Sequence, residues 1–292
     1  MTIENEKITY VNEIGDMVIF ESKKPYVLLE KKGFGGSSNN ITSQKVYGID
    51  GEIEVEESLL PRTLSISAVI SGKNSIEDNK LRKNLLKTFN PKLSGTIIYE
   101  SYGKTYEIDV KIVEGWVDEI ESTSHLWKGS VSFVALYPLW RDISESSYTV
   151  QLGQTISEFS FPLSITDNFK FATVEAGKEV EVINPGHVSV GMELNIECTA
   201  EVVNPRIYNP YTQEWFAFNW TFSGKDTIYL NTNENKKQVL INGENGFFKR
   251  KLGSKFLQIS NLETNYFILE ADKGVENMIA KMKYSPLFTG VC

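Results

Sequence analysis

The chain has 292 residues, 41% hydrophobic and 23% charged, with a formal net charge of −8 and a pI near 5.1. Such a balance suits a globular protein of two domains and excludes recognition of nucleic acid through a broad basic surface. No stretch approaches the ~18 consecutive apolar residues of a membrane span, and the two cysteines, Cys198 and Cys292, are too few for a disulfide framework.

The opening MTIENEKITY carries acidic residues where a secretory leader would be basic, so the expectation is a chain assembled in a reducing cytoplasm. Short apolar runs at Met17–Phe20 and Tyr26–Leu29 predict strands on either side of the Lys23-Lys24-Pro25 turn. A glycine-rich segment, Gly33-Phe34-Gly35-Gly36, leads to the turn residues Gly48, Asp50 and Gly51 and then to an acidic stretch ending at Arg62. Leu64, Ile66, Ala68 and Ile70 alternate with period two, the mark of a strand with one buried face.

Residues 75–89 read as a helix. Asn74 or Ser75 caps it, Glu77 and Asp78 sit at the positive end of its dipole, and Ile76, Leu81, Leu85 and Phe89 form an apolar stripe. Asn90-Pro91 stops it, because the residue before proline disfavours helical geometry. Residues 95–100 and 105–110 predict a hairpin around Ser101–Lys104, and Tyr99 through Ile120 is the one candidate for a projecting arm. Lys128–Leu136 alternates again before Tyr137-Pro138 ends the strand.

The polar run Ser144–Ser147 marks the expected division into domains 1–147 and 148–292. Beyond it, short strand signals recur between Asn-Pro, Asn-Gly and Ser-Gly turns, at Lys178–Ile183, Met192–Ala200, Arg206–Asn209, Glu214–Phe222, Thr227–Asn231, Gln238–Ile241 and Lys255–Ser260. That pattern predicts a β-sandwich or barrel.

Chemistry is sparse. His125 and His187 stand alone without metal-ligand spacing, and no G-x-S-x-G turn presents a serine nucleophile. Gly33–Gly36 lacks the spacing of a phosphate-cradling loop and reads as a sharp turn. Glu52, Glu54 and Glu56 share one face by period two, too crowded for a glycosidase pair; they read as a solvated or lumen-facing stripe, with a calcium site as the alternative. Lys249-Arg250-Lys251 reads as a solvated turn. Phe216, Phe218, Trp220 and Phe222 alternate as a core stripe, whereas Tyr211 and Trp215, near Asn209-Pro210, form an exposed ligand-facing pair suited to stacking on a sugar.

Taken in order, these residues resemble the distal tail proteins of siphophages or phage-derived particles that infect Gram-positive bacteria. The resemblance runs from Gly33 to Asp142 through the Tyr47–Gly51 turn, Arg62 and its strand, the helix ending at Phe89-Asn90, and Tyr137-Pro138-Leu139-Trp140. It continues more loosely through Asn209–Gln213, Asp226-Thr227-Ile228 and Val239–Gly243. It implies a mainly β protein: an amino-terminal β-sandwich with one packed helix and a hairpin arm, then a galectin-like or carbohydrate-module-like sandwich. It further implies a homohexameric ring at the distal end of the virion tail, joining the tail tube protein to the tail-tip hub and letting DNA pass. Glu52, Glu54, Glu56 and Arg62 are expected at ring contacts or along the lumen, with the outer domains available to a receptor-binding protein. Neither cofactor, metal nor enzymatic activity is implied. The alternative is a carbohydrate-binding protein for adhesion to the host surface.

Overall fold

The computed structural model describes residues 6–119, 127–144, 148–152, 154–157, 172–175 and 178–291; His125, residues 145–147 and Cys292 lie outside the described residues. Two compact units emerge, the first running to Ser144 and regaining the chain from Leu287, the second taking the residues between. The return from Leu287 departs from a simple division at 147. Its cause is β-pairing, since Phe288 sits opposite Trp140 in an antiparallel ladder.

Unit 1 contains β1 (Glu6–Asn12), β2 (Met17–Phe20), β3 (Tyr26–Lys32), β4 (Asn39–Gln44), β5 (Ile53–Leu59), β6 (Arg62–Ile70), α1 (Ser75–Thr88), β7 (Ser94–Ser101), β8 (Lys104–Glu119), β9 (Trp127–Ala135) and β10 (Trp140–Asp142). Its main antiparallel sheet runs β2-β1-β7-β8-β9-β6-β3. The two ends of that path meet where the Leu28 N–H donates to the Glu21 carbonyl at 2.8 Å, so the sheet curls round on itself. The alternation in β6 does what period two requires: Leu64, Ile66, Ala68 and Ile70 are all buried, with Leu64 opposite Phe133 and Ile66 opposite Val131.

The helix closes this core. The Asn74 side chain accepts the Glu77 N–H at 3.0 Å, satisfying one orphan donor of the first turn. Leu85 and Phe89 are buried, and Phe89 places its ring 5.0 Å from Tyr10 and 5.9 Å from Phe133, centroid to centroid. Burial of one such phenylalanine contributes about 2–3 kcal/mol. Ile76, expected in the same stripe, is exposed. Five residues separate it from Leu81, about 500° of turn instead of the 360° of a shared face.

Two further expectations change. Of the Tyr99–Ile120 arm, residues 99–119 lie inside the main sheet instead, because β7 and β8 pair with each other and with β1 and β9, while Ile120 lies outside the described residues. The separate hairpin is β4–β5.

Unit 2 contains β11 (Thr149–Leu152), β12 (Gln154–Ser157), β13 (Ala172–Glu175), β14 (Val180–Val182), β15 (Glu193–Cys198), β16 (Val202–Val203), β17 (Arg206–Tyr208), β18 (Trp215–Ala217), β19 (Thr221–Phe222), β20 (Thr227–Asn231), β21 (Gln238–Ile241), β22 (Glu244–Asn245), β23 (Asn265–Glu270) and β24 (Met278–Lys283). Its larger sheets run β11-β24-β15-β20-β21-β22 and β14-β23-β17-β18. Each buries one face: Leu194, Ile196, Ile228, Leu230 and Met282 from the first, Ile207, Phe216, Phe267 and Leu269 from the second. Asn242 and Gly243 both have positive φ, 53° and 82°, as a two-residue turn between β21 and β22 demands.

The aromatic stripe holds only in part. Phe216, Phe218 and Phe222 are buried, but Trp220 is 47% exposed. The strand ends at Ala217 and resumes at Thr221, so the alternation lapses across Asn219-Trp220. Lys255–Ser260, expected as a strand, makes only the single bridge of Ile259 to Val190.

Candidate interaction surfaces

Every residue of β4 and β5 is exposed. Two strands without a hydrophobic face against anything are marginal in water, yet this pair carries Ile41, Ile53, Val55 and Leu59 into solvent and Tyr47 and Ile49 on its connecting loop. Gly48 and Gly51 turn that loop at φ 84° and 90°. Glu52, Glu54 and Glu56 lie on this exposed hairpin. A register shift between Thr42 and Ser43 sets Glu56 opposite Thr42 and Glu54 opposite Ser43, which breaks the strict alternation that would have stacked the three acids on one face. Ser43 donates to Glu52 and Asn39 to Glu57, tying acids of one strand to hydroxyl and amide groups of the other.

Arg62, expected at a ring contact or along the lumen, is only 6% exposed in the single chain. Its guanidinium sits at the root of the hairpin and spends its donors on fixed acceptors: Nη1 on the Gly33 and Gly35 carbonyls, both at 2.6 Å, Nε on the Pro138 carbonyl at 3.0 Å, and Nη2 on Ser37 Oγ at 2.7 Å and on the Thr289 carbonyl. Burial pulls its pKa below the ordinary arginine value, but a guanidinium remains charged at any physiological pH. The glycines follow from this clamp. Gly33 has φ 83°, and a Cβ there would lie 2.0 Å from the Thr63 carbonyl oxygen. The hairpin is thus rigidly rooted, with Leu60 N–H donating to Ser38 at 2.9 Å across its base. The single sequence hint for the clamp was the run of glycines, whose carbonyls need a donor once the loop is packed.

In unit 2, Tyr211 is 67% exposed and pairs with Tyr266, ring centroids 4.7 Å apart. The neighbouring Glu179 carboxylate raises the Tyr211 pKa. Trp215 is not the other half of this pair. Its ring faces Lys251, whose Nζ lies 5.6 Å from the centroid, and the Gly253 backbone, where a Cβ would touch the ring at 3.5 Å.

Among the described residues no three His, Cys, Asp or Glu side chains are grouped to hold a metal ion. A groove of about 610 Å³ on unit 1, lined by Val11, Thr96, Ile98, Asp109, Val110 and Leu136 among others, is largely apolar. Of its acids Glu13, Glu107 and Asp109, the last two are gripped by Arg141, Glu107 through Nε at 2.9 Å and Asp109 through two hydrogen bonds of 2.8 Å each. Burial pushes the Cys198 thiol up to about 11, the inert direction for a cysteine. No helix among the described residues is long and apolar enough to cross a membrane.

Residues 17–135 match the family model described as a phage tail protein RIFT-related domain, and residues 185–288 match the siphovirus-type tail component, C-terminal domain. Among solved structures, the Dit protein of phage SPP1, described as a paradigm of the hub adsorption apparatus in phages infecting Gram-positive bacteria, superimposes with a TM-score of 0.66 at 13% identity, covering 96% of this chain and 99% of that one. A chain of the phage P2 baseplate, in its activated conformation with calcium, gives a TM-score of 0.51 at 11% identity, covering 97% and 98%. Comparison with curated proteins gives no match.

Proposed function

Because the chain belongs to the siphophage distal tail protein family, whose members are structural components of the tail and baseplate, we propose that it works by assembling with copies of itself into a sixfold ring at the tail tip. The observation that carries this reading is the β4–β5 hairpin. It is rooted by a buried arginine, exposed along its whole length, and apolar enough to gain by covering Ile41, Ile53 and Val55. A neighbouring copy is the partner present at equal concentration, and a heterologous contact repeated round a closed rotation makes a ring. Glu52, Glu54 and Glu56 then present negative charge at contacts or along a channel, where like charge keeps passing DNA from adhering. The ring joins the tail tube protein to the hub, assembles in the host cytoplasm, and leaves unit 2 to hold further tail partners such as a receptor-binding protein. The part is structural and not enzymatic, as the tail-component descriptions of both matching family models suggest.

Negative-stain images of the purified chain test this. Annular particles with six repeats are expected; compact single particles alone, or open filaments, overturn the ring.

A second reading rests on the neighbouring, mutually tilted rings of Tyr211 and Tyr266 beside Glu179, an arrangement of apolar ring faces and an acceptor that suits a sugar. A glycan array with Tyr211→Ala and Trp215→Ala checks it; binding absent, or untouched by both changes, removes it.

A further inference from the structure

The basic triplet Lys249-Arg250-Lys251 is not a loose solvated turn. Its backbone is pinned to the edge of β18: Asn219 N–H donates to the Lys249 carbonyl at 2.9 Å, Lys251 N–H donates to the Ala217 carbonyl at 2.8 Å, and Arg250 bridges Phe218. Each cation is held over an aromatic ring. Lys249 Nζ lies 4.1 Å from the Trp220 centroid and 5.6 Å from that of Phe248, Arg250 Cζ is 5.1 Å from Phe247, and Lys251 Nζ is 5.6 Å from Trp215. Among the described residues none of the three joins an ion pair within 4 Å, although the chain carries a net charge of −8. The carboxylate near Lys249 is that of Asp226, already engaged by Asn242 Nδ2 at 2.8 Å and the Ser223 N–H at 2.7 Å. Beside these cations stand Phe248, 79% exposed, and Leu252, 92% exposed.

We propose that Phe247–Leu252 with Trp220 is a docking patch for an acidic protein segment that also carries apolar side chains. The inference rests on the reading that unit 2 holds tail partners, and names the chemistry of the partner. Charge complementarity sets the sign: three neighbouring cations on an acidic protein attract carboxylates. The aromatic rings fix the ammonium and guanidinium groups without neutralising them. The exposed Phe248 and Leu252 decide between a protein and a simple polyanion. A hydrated polyanion has no use for them, whereas aromatic and arginine anchors ringed by polar groups are the make-up of protein interfaces.

The test is titration of the full chain with a labelled peptide of alternating Glu and Leu/Phe residues, read by anisotropy and by Trp fluorescence, with a Gln-for-Glu control peptide and inorganic polyphosphate alongside. The expected result is binding of the acidic peptide that weakens at least ~10-fold in both Lys249→Glu/Lys251→Glu and Phe248→Ser/Leu252→Ser, with no binding of the control. Overturning results are no peptide binding, binding unchanged in either double variant, or polyphosphate binding lost only on charge reversal while the peptide fails to bind. The mass of the assembly, measured on the same samples, separates this inference from the ring: an intact ring with no peptide binding sinks the patch alone.

Discussion

The Arg62 guanidinium donates to the Gly33 carbonyl oxygen at 2.6 Å, and with that contact a buried charge fixes the loop from which the β4–β5 hairpin departs. Removing the side chain in Arg62→Ala strands the carbonyls of Gly33, Gly35 and Pro138, of which Pro138 is a buried residue and the two glycines are exposed. Unpaired acceptors of this kind cost about 1–3 kcal/mol apiece, partly relieved by entering water. A net loss of about 3–4 kcal/mol in urea unfolding is expected, with Arg62→Lys recovering only a part because an ammonium cannot span the fork of acceptors. A loss under about 1 kcal/mol in Arg62→Ala would mean that the clamp carries no weight.

Tyr10 gives a pH dependence. Its ring is fully buried among Phe89 and Phe133, and its hydroxyl has no hydrogen-bond partner among the described residues. Burial, with a smaller push from Glu13, raises its pKa from 10.0 to about 12. The fold thus favours the protonated phenol. That contribution is complete below pH 10 and is lost as pH climbs from 10 towards 12, by about 1.4 kcal/mol per pH unit. Comparing unfolding at pH 9 and pH 11, the chain is expected to lose about 1 kcal/mol more than Tyr10→Phe, which keeps the ring and discards the ionisable oxygen. Equal losses in both proteins contradict the assignment.

Much of unit 1 was legible because its signals are local. The Asn74 cap, the Asn90-Pro91 stop and the alternation of Leu64 to Ile70 each follow from a few adjacent residues, and the structure repeats them. The arm was misplaced for a physical reason: β4 is polar and uniformly exposed, so it has no hydrophobic period to detect, while β7 and β8 show an obvious hairpin that in fact lies within the sheet. The Arg62 clamp was not legible, since its five acceptors come from segments around 33–37, 138 and 289, which only the fold brings together. The cations held over Trp220 and Trp215 were hidden likewise, joining residues apart in sequence.

Asn265 organises the second unit. Its Nδ2 donates to the carbonyls of Ser260 at 2.8 Å, Glu263 at 3.1 Å and Val182 at 3.3 Å, while its Oδ1 accepts the Ser260 N–H at 2.7 Å. Asn265→Ala is expected to destabilise the chain by about 2–3 kcal/mol, since several partners lose their bonds at once. Asn265→Asp keeps the acceptor but sets a buried carboxylate against three carbonyl oxygens, and is expected to lose at least as much. Hydrogen exchange at the Ser260 amide checks the local cause; protection unchanged in the alanine variant contradicts it.

The central claim is assembly through the hairpin, and light scattering on the purified chain over a range of concentrations tests it most directly, paired with an Ile53→Asp/Val55→Asp variant whose changes lie on exposed positions. The chain is expected to reach six times its 33.0 kDa mass, and the variant to stay monomeric with an unaltered circular dichroism spectrum. A chain that remains at 33.0 kDa throughout, even with tail tube protein added, or a variant that assembles as well as the parent, contradicts the account.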